Sequence, residues 1–150
     1  TDELHLLITD MLDTMRAANG AGLAAPQIGV DLQLVIFGTD ARNPRYPDAP
    51  LMEPLAMLNP EILWQSDDTD LYEEGCLSVP EVRVAVARAE HIRVRYLSRG
   101  GETVEADYRG FIARIIQHEC DHLDGNVYLD RMLDMKTLGF LDEMQRFSKE

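Results

Sequence analysis

Residues 118–122 read His-Glu-Cys-Asp-His, and this HExxH run constrains the chain more than any other stretch. At about 100° per residue on a helix, His118 and His122 lie about 40° apart, one turn along the same face. Two imidazoles so placed can share one metal ion. Glu119 falls about 100° from His118, within reach of a water at such a metal, where it would serve as general base. Ile112, Ile116 and Leu123 gather at about 120–160° from His118, an apolar stripe that would anchor the helix in a core. A purely structural helix gains nothing from two inward histidines flanking a carboxylate. The run therefore predicts a helix over 111–123 that carries two ligands and a base.

HExxH leaves the third ligand open. Metzincin proteases continue the run as HExxHxxGxxH; Gly125 falls in the right place, but Tyr128 stands where the third histidine would be. Thermolysin-like proteases use a later glutamate, and Glu143 is the one available before the terminal residue. It lies in a stretch, about 132–148, whose amphipathic pattern predicts a third helix with Glu143 exposed. Cys120 points about 200° from His118 and reads as a small hydrophobe at the core edge. Cys76, in EEGCLSVP, follows a glycine turn, and a loop thiolate could swing to a metal. Taken by itself, Cys76 reads more readily as a buried free thiol than as a ligand.

The rest of the chain bounds the fold. Its 150 residues amount to one domain, 1–150, and 45% are hydrophobic, enough for a core without disulfide support. Two cysteines do not make a secreted disulfide framework, so a reducing cytoplasm is the expected location. A net charge of -13 argues against direct nucleic-acid binding, which needs a basic face. No apolar run reaches the length of a membrane span. The chain lacks an initiator Met and opens directly into a helix, as a processed, trimmed or shortened product would.

Leu4, Leu7, Ile8, Met11, Leu12 and Met15 follow a helical stripe over 2–18, stopped by Asn19-Gly20. LQLVIFG (32–38) reads as a strand, and DARNPRYPDAP (40–50) as a Pro-rich surface loop. Two short strands are expected around Asn59-Pro60, and DDTD (67–70) as a solvated turn. Residues 81–87 and 91–97 alternate like strands, and Gly100-Gly101 turns the second into a hairpin with 102–108. The order of helix, strands, helix, helix predicts an α+β class.

GAGLAAPQIG (20–29) matches a dinucleotide fingerprint only superficially, because no strand precedes it and Pro26 follows at once. Its glycines instead suit close approach of backbone to a ligand, and Gln27 offers an amide donor to a developing oxyanion.

GAGLAAPQ (20–27), EGCLS (74–78) and QHECDH (117–122) together resemble, in order and spacing, the three signature motifs of bacterial peptide deformylases. The resemblance implies antiparallel sheets packed around a central HExxH helix, with N-terminal and C-terminal helices. It implies hydrolysis of the N-formyl group from the N-terminal formyl-methionine of newly made polypeptides. Cys76, His118 and His122 would hold one divalent ion, natively Fe2+, with Zn2+, Ni2+ or Co2+ as replacements, and a water in the fourth position. Glu119 would be general base and acid, and Gln27 with the Leu77 backbone N–H would polarise the formyl oxygen. Gly22 and Arg83 match positions that contact the bound peptide. On the helical wheel Phe111, Arg114 and Ile115 lie within about 60° of His118 and should line the methionine pocket. The Arg114 stem is expected in the wall, with its guanidinium at the rim in solvent. Some members of the family dock on the ribosome through a basic C-terminal helix. Here that helix mixes Lys136, Arg146 and Lys149 with Asp134, Asp142 and Glu143, which disfavours such docking.

Overall fold

A computed structural model describes residues 2–39, 46, 50–132 and 137–140. Helix α1 (Asp2–Ala17) carries Asp2 and Glu3 in its first turn and Arg16 in its last, each favourable to the helix dipole. It ends at Asn19, whose φ of 57° is left-handed. Ile8, Met11 and Met15 are at most 1% exposed, and burial of each contributes about 1.5–3 kcal/mol.

Five strands form one antiparallel sheet: β1 (Gly22–Ala24), β2 (Leu34–Thr39), β3 (Met52–Gln65), β6 (His91–Leu97) and β7 (Thr103–Arg109), in the order β1-β2-β3-β6-β7. A second sheet holds β4 (Thr69–Cys76), β5 (Val79–Ala89) and the two-residue β8 (Gly139–Phe140). Helix α2 (Gly110–Leu123) follows β7 without a loop. Gly110 makes that junction at φ 62°, a value that L side chains adopt at a cost.

The period of two in a strand explains the layering. Leu34 and Ile36 of β2 pack with Ile8, Met11 and Met15 of α1. Val35 and Phe37 join the other cluster, with Ala113, Ile115 and Ile116 of α2. The five-stranded sheet is thus covered by α1 on one face and α2 on the other. Ile112 and Leu123 pack on the second cluster as the apolar stripe requires. The opposite flank of α2 meets the smaller sheet, where Gln117 donates to the Ala89 carbonyl (2.8 Å) and accepts from the Ala89 N–H (3.0 Å).

The α+β class, the 91–97 with 102–108 hairpin, the N-terminal helix and the central HExxH helix match the sequence reading. Three local expectations are corrected. Asn59-Pro60 does not separate two strands; it is an irregularity inside the continuous β3, with Asn59 at φ 49° and the pairing register shifting between Leu58 and Glu61. The turn expected at 67–70 is shorter, because Thr69 already pairs with Ala89. Of the helix expected over about 132–148, the described part at 139–140 is instead strand β8, paired with Val82 and Arg83. Residues 133–136 and 141–150 lie outside the described residues. Among the described residues no helix is long and apolar enough to cross a membrane.

Candidate metal centre and active site

Cys76 is the last residue of β4, immediately before the Leu77-Ser78 turn that leads to Val79, its partner across the hairpin. The sequence reading put it in a loop; it is held at a strand end instead. Alternation along β4 sends Glu74 and Cys76 to one face, and α2 presents His118 and His122 to that face. The candidate ligand atoms of Cys76, His118 and His122 all lie within 4.8 Å of one another, and all three residues are buried. Cys76 Sγ stands 3.3 Å from His122 Nε2.

Burial opposes ionisation of the Cys76 thiol, but hydrogen bonds and charge from His118 and His122 outweigh it and bring the thiol down to about 5. A thiolate with two imidazoles is a donor set for a borderline divalent ion. Glu119, 4% exposed, has one carboxylate oxygen buried without a partner among the described residues. Burial pushes this carboxyl up to about 7; the two histidines oppose the shift, while Cys76 and Glu74 add to it. Three converging donors with a partnerless buried oxygen beside them fit a cation carrying one open position.

A buried polar network supports the centre. His118 Nδ1 lies 2.9 Å from Glu74 Oε1, the outer carboxylate that orients ligating histidines in metal sites. Burial would raise the Glu74 carboxyl, yet the hydrogen bonds and charges of His118 and Arg88 hold it down at about 2. Arg88 binds Glu74 through two contacts of 3.0 Å and reaches on to Asp121, which Arg131 also grips at 2.8 Å.

Arg114 enters the same network, which corrects the expectation of a solvent-facing guanidinium. Only 4% exposed, it bonds to Glu74 and to the carbonyls of Val86 and Asp70. The helical wheel placed it on the right face; the buried acid that attracts it belongs to another element. Arg114→Ala is therefore expected to destabilise the fold by about 3 kcal/mol, the low end for breaking a buried pair, because Glu74 keeps Arg88. Urea denaturation of the metal-loaded protein measures it, and a change below ~1 kcal/mol would contradict the buried-pair account.

A cavity opens from this centre, lined by Gly22, Gln27, Tyr46, Cys76, Leu77 and Glu119, with Phe111, Arg114, Ile115 and His118 along α2. A Cβ added at Gly22 would stand 2.9 Å from Glu119 Cγ and 3.0 Å from Ile115 Cγ2, so glycine alone fits there. The Gln27 amide has a fixed orientation. Its Oε1 accepts from the Ala24 N–H (2.9 Å), and its Nε2 donates to Ser78 Oγ (2.9 Å) and approaches Cys76 Sγ (3.6 Å). Arg83 does not line the cavity; it stands behind Tyr46, its guanidinium 4.6 Å from the ring centroid. Cys120, a residue of α2, packs against the core cluster rather than at the centre.

The sequence reading missed Glu74, Arg88, Asp121 and Tyr46. A signal existed for Glu74, since it lies two residues before Cys76 in a strand and must share its face. Arg88 continues the buried Val84 and Val86 face of β5, so it needed a buried acid.

The family model for polypeptide deformylase matches residues 1–138. Peptide deformylase 1 of Bordetella pertussis is 51% identical over 142 residues, spanning 95% of this chain and 80% of that protein. Peptide deformylase 1 of Prochlorococcus marinus is 48% identical over 146 residues, spanning 97% and 76% respectively. The crystal structure of a class I type b peptide deformylase from Acinetobacter baumannii with Met-Ala-Ser bound superimposes with a TM-score of 0.85 at 48% identity, covering 88% of this chain and 82% of that one. A profile match over nearly the whole chain, relatives near half identical and a shared fold lead to one conclusion: the chain belongs to the polypeptide deformylase family of hydrolases.

Proposed function

We propose that this chain, as one catalytic domain over 1–150, removes the N-formyl group from the formyl-methionine that begins newly made polypeptides. The observation that carries the reading is the convergence of the buried Cys76, His118 and His122 donors, with Cys76, His118, Glu119 and the Gln27 amide lining one cavity. A divalent ion held by that trio, natively Fe2+, would supply a Lewis acid and lower the pKa of water.

The protein's own groups do the rest. Glu119, with a pKa raised to about 7, is suited to take a proton from the attacking water and return it to the departing amine. Gln27 Nε2 and the Leu77 N–H donate to the oxygen that becomes negative as the formyl carbon turns tetrahedral. The Ala24 N–H fixes which end of the Gln27 amide faces the centre. Phe111 and Ile115 offer apolar wall to a methionine side chain, and Gly22 lets the substrate backbone approach. Arg83, buried behind Tyr46, would act on the bound peptide only through that ring. The A. baumannii relative with Met-Ala-Ser bound supports a peptide substrate of this kind. Nascent chains as substrates imply a cytoplasmic setting, without a nucleic-acid or membrane partner.

Metal-loaded protein is expected to release formate from formyl-Met-Ala-Ser and to leave acetyl-Met-Ala-Ser and free Met-Ala-Ser intact. Cleavage of an internal bond, or equal turnover of the acetyl peptide, would refute the reading. Gln27→Leu is expected to keep the metal and lower kcat by about 10²–10³, the usual effect of removing one oxyanion donor. An effect confined to KM would instead make Gln27 a simple binding residue.

A further inference from the structure

We propose that Tyr46 sets the size of the side chain the cavity accepts, an inference that rests on the deformylase reading above. The Pro-rich segment 40–50 reads as surface loop, yet Tyr46 is only 7% exposed and lines the cavity. Its hydroxyl accepts from the Gly75 N–H and donates to the Gly75 carbonyl, both at 3.1 Å. Gly75 lies where the β4–β5 register shifts, between the Glu74–Val84 and Cys76–Val79 pairs. The phenol thus serves backbone groups at a break in the ladder.

The ring is held as firmly as the hydroxyl. Its centroid lies 5.1 Å from that of Phe111 and 6.4 Å from that of Tyr72, with the Arg83 guanidinium on its face. Phe111 precedes His118 by seven residues, about 10.5 Å along the helix. The ring therefore closes the gap between the first turn of α2 and the end of β4, away from the ligand end of α2. A wall fixed at four points cannot yield to a bulkier side chain as a mobile one would. Phe111 and Ile115 then shape the sides of the pocket, and Tyr46 limits how much it can hold.

The test compares kcat/KM for formyl-Met-Ala-Ser, formyl-Phe-Ala-Ser and formyl-Ala-Ala-Ser in the metal-loaded parent and in Tyr46→Leu, Tyr46→Phe and Tyr46→Trp. Tyr46→Leu removes the ring, and its Phe-to-Met ratio should rise roughly tenfold or more. Tyr46→Phe keeps the ring and should leave that ratio within about threefold of the parent. Tyr46→Trp fills the pocket, and its Met-to-Ala ratio should fall by a similar factor. Metal content and circular dichroism identify the folded variants, and either Tyr46→Leu or Tyr46→Trp alone decides the matter. If folded variants keep the parent's ratios, or lose all three substrates in proportion, Tyr46 is structural only and the inference fails while the deformylase reading stands. A parent that releases no formate from any of the three would overturn both.

Discussion

Cys76→Ser is expected to lose metal and activity together. A serine hydroxyl occupies nearly the same space but stays protonated at neutral pH, whereas the Cys76 thiol is held at about 5 by the histidines beside it. The ligand set would fall from three to two, too few for a catalytic site of three protein ligands and one open position. His118→Ala should behave alike and would also leave Glu74 without its imidazole partner. Metal analysis of each purified variant beside a formate-release assay measures both losses. Full occupancy and parent-like rate in Cys76→Ser would mean that the third ligand lies elsewhere. Cys120→Ser is the internal control. Burial and the surrounding carboxylates push that thiol up to about 12, and it packs into the core cluster. Metal content there should stay at the parent level.

Glu119→Gln is expected to keep its metal and lose turnover by about 10²–10⁴-fold, the range for removing a general acid–base. Glutamine fills the space that Gly22 leaves for the Glu119 side chain, so packing there is preserved. An amide can neither take a proton from water nor return one to the amine. Near-normal turnover in a metal-loaded variant would remove Glu119 from the chemistry. The variant also separates two roles: a structural carboxylate would change metal content or stability, and a catalytic one changes kcat.

Sequence periodicity carried the framework a long way. The stripe from Leu4 to Met15, the alternation of 91–97 and the HExxH spacing each encode local geometry, and each emerged as read. What stayed hidden depended on register or on distant neighbours. Glu74 and Arg88 share a face because β4 and β5 pair with Glu74 opposite Val84 and Asp70 opposite Arg88, and one strand alone cannot fix that register. The wheel aimed Arg114 at the cavity, but its counter-charge comes from β4, 40 residues away in the chain. Tyr46 sits among prolines and aspartates that announce a loop, and only tertiary packing reveals its burial. Asn59-Pro60 looked like a break because proline interrupts central strands; β3 absorbs it by changing register.

Cys76 belongs to the smaller sheet and His122 to a helix seated on the larger one, 46 residues further along the chain. An ion bridging them would therefore be a removable cross-link as well as a reagent. A covalent tie closing a loop of that length restrains the unfolded chain by about 4 kcal/mol in the chain-entropy model. A coordinated ion imposes a comparable restraint only while it is bound, so free-metal concentration would govern how readily the chain unfolds. Chelation would strip away durability and catalysis in one event, and proteolytic lifetime in a metal-starved cell would shorten with it.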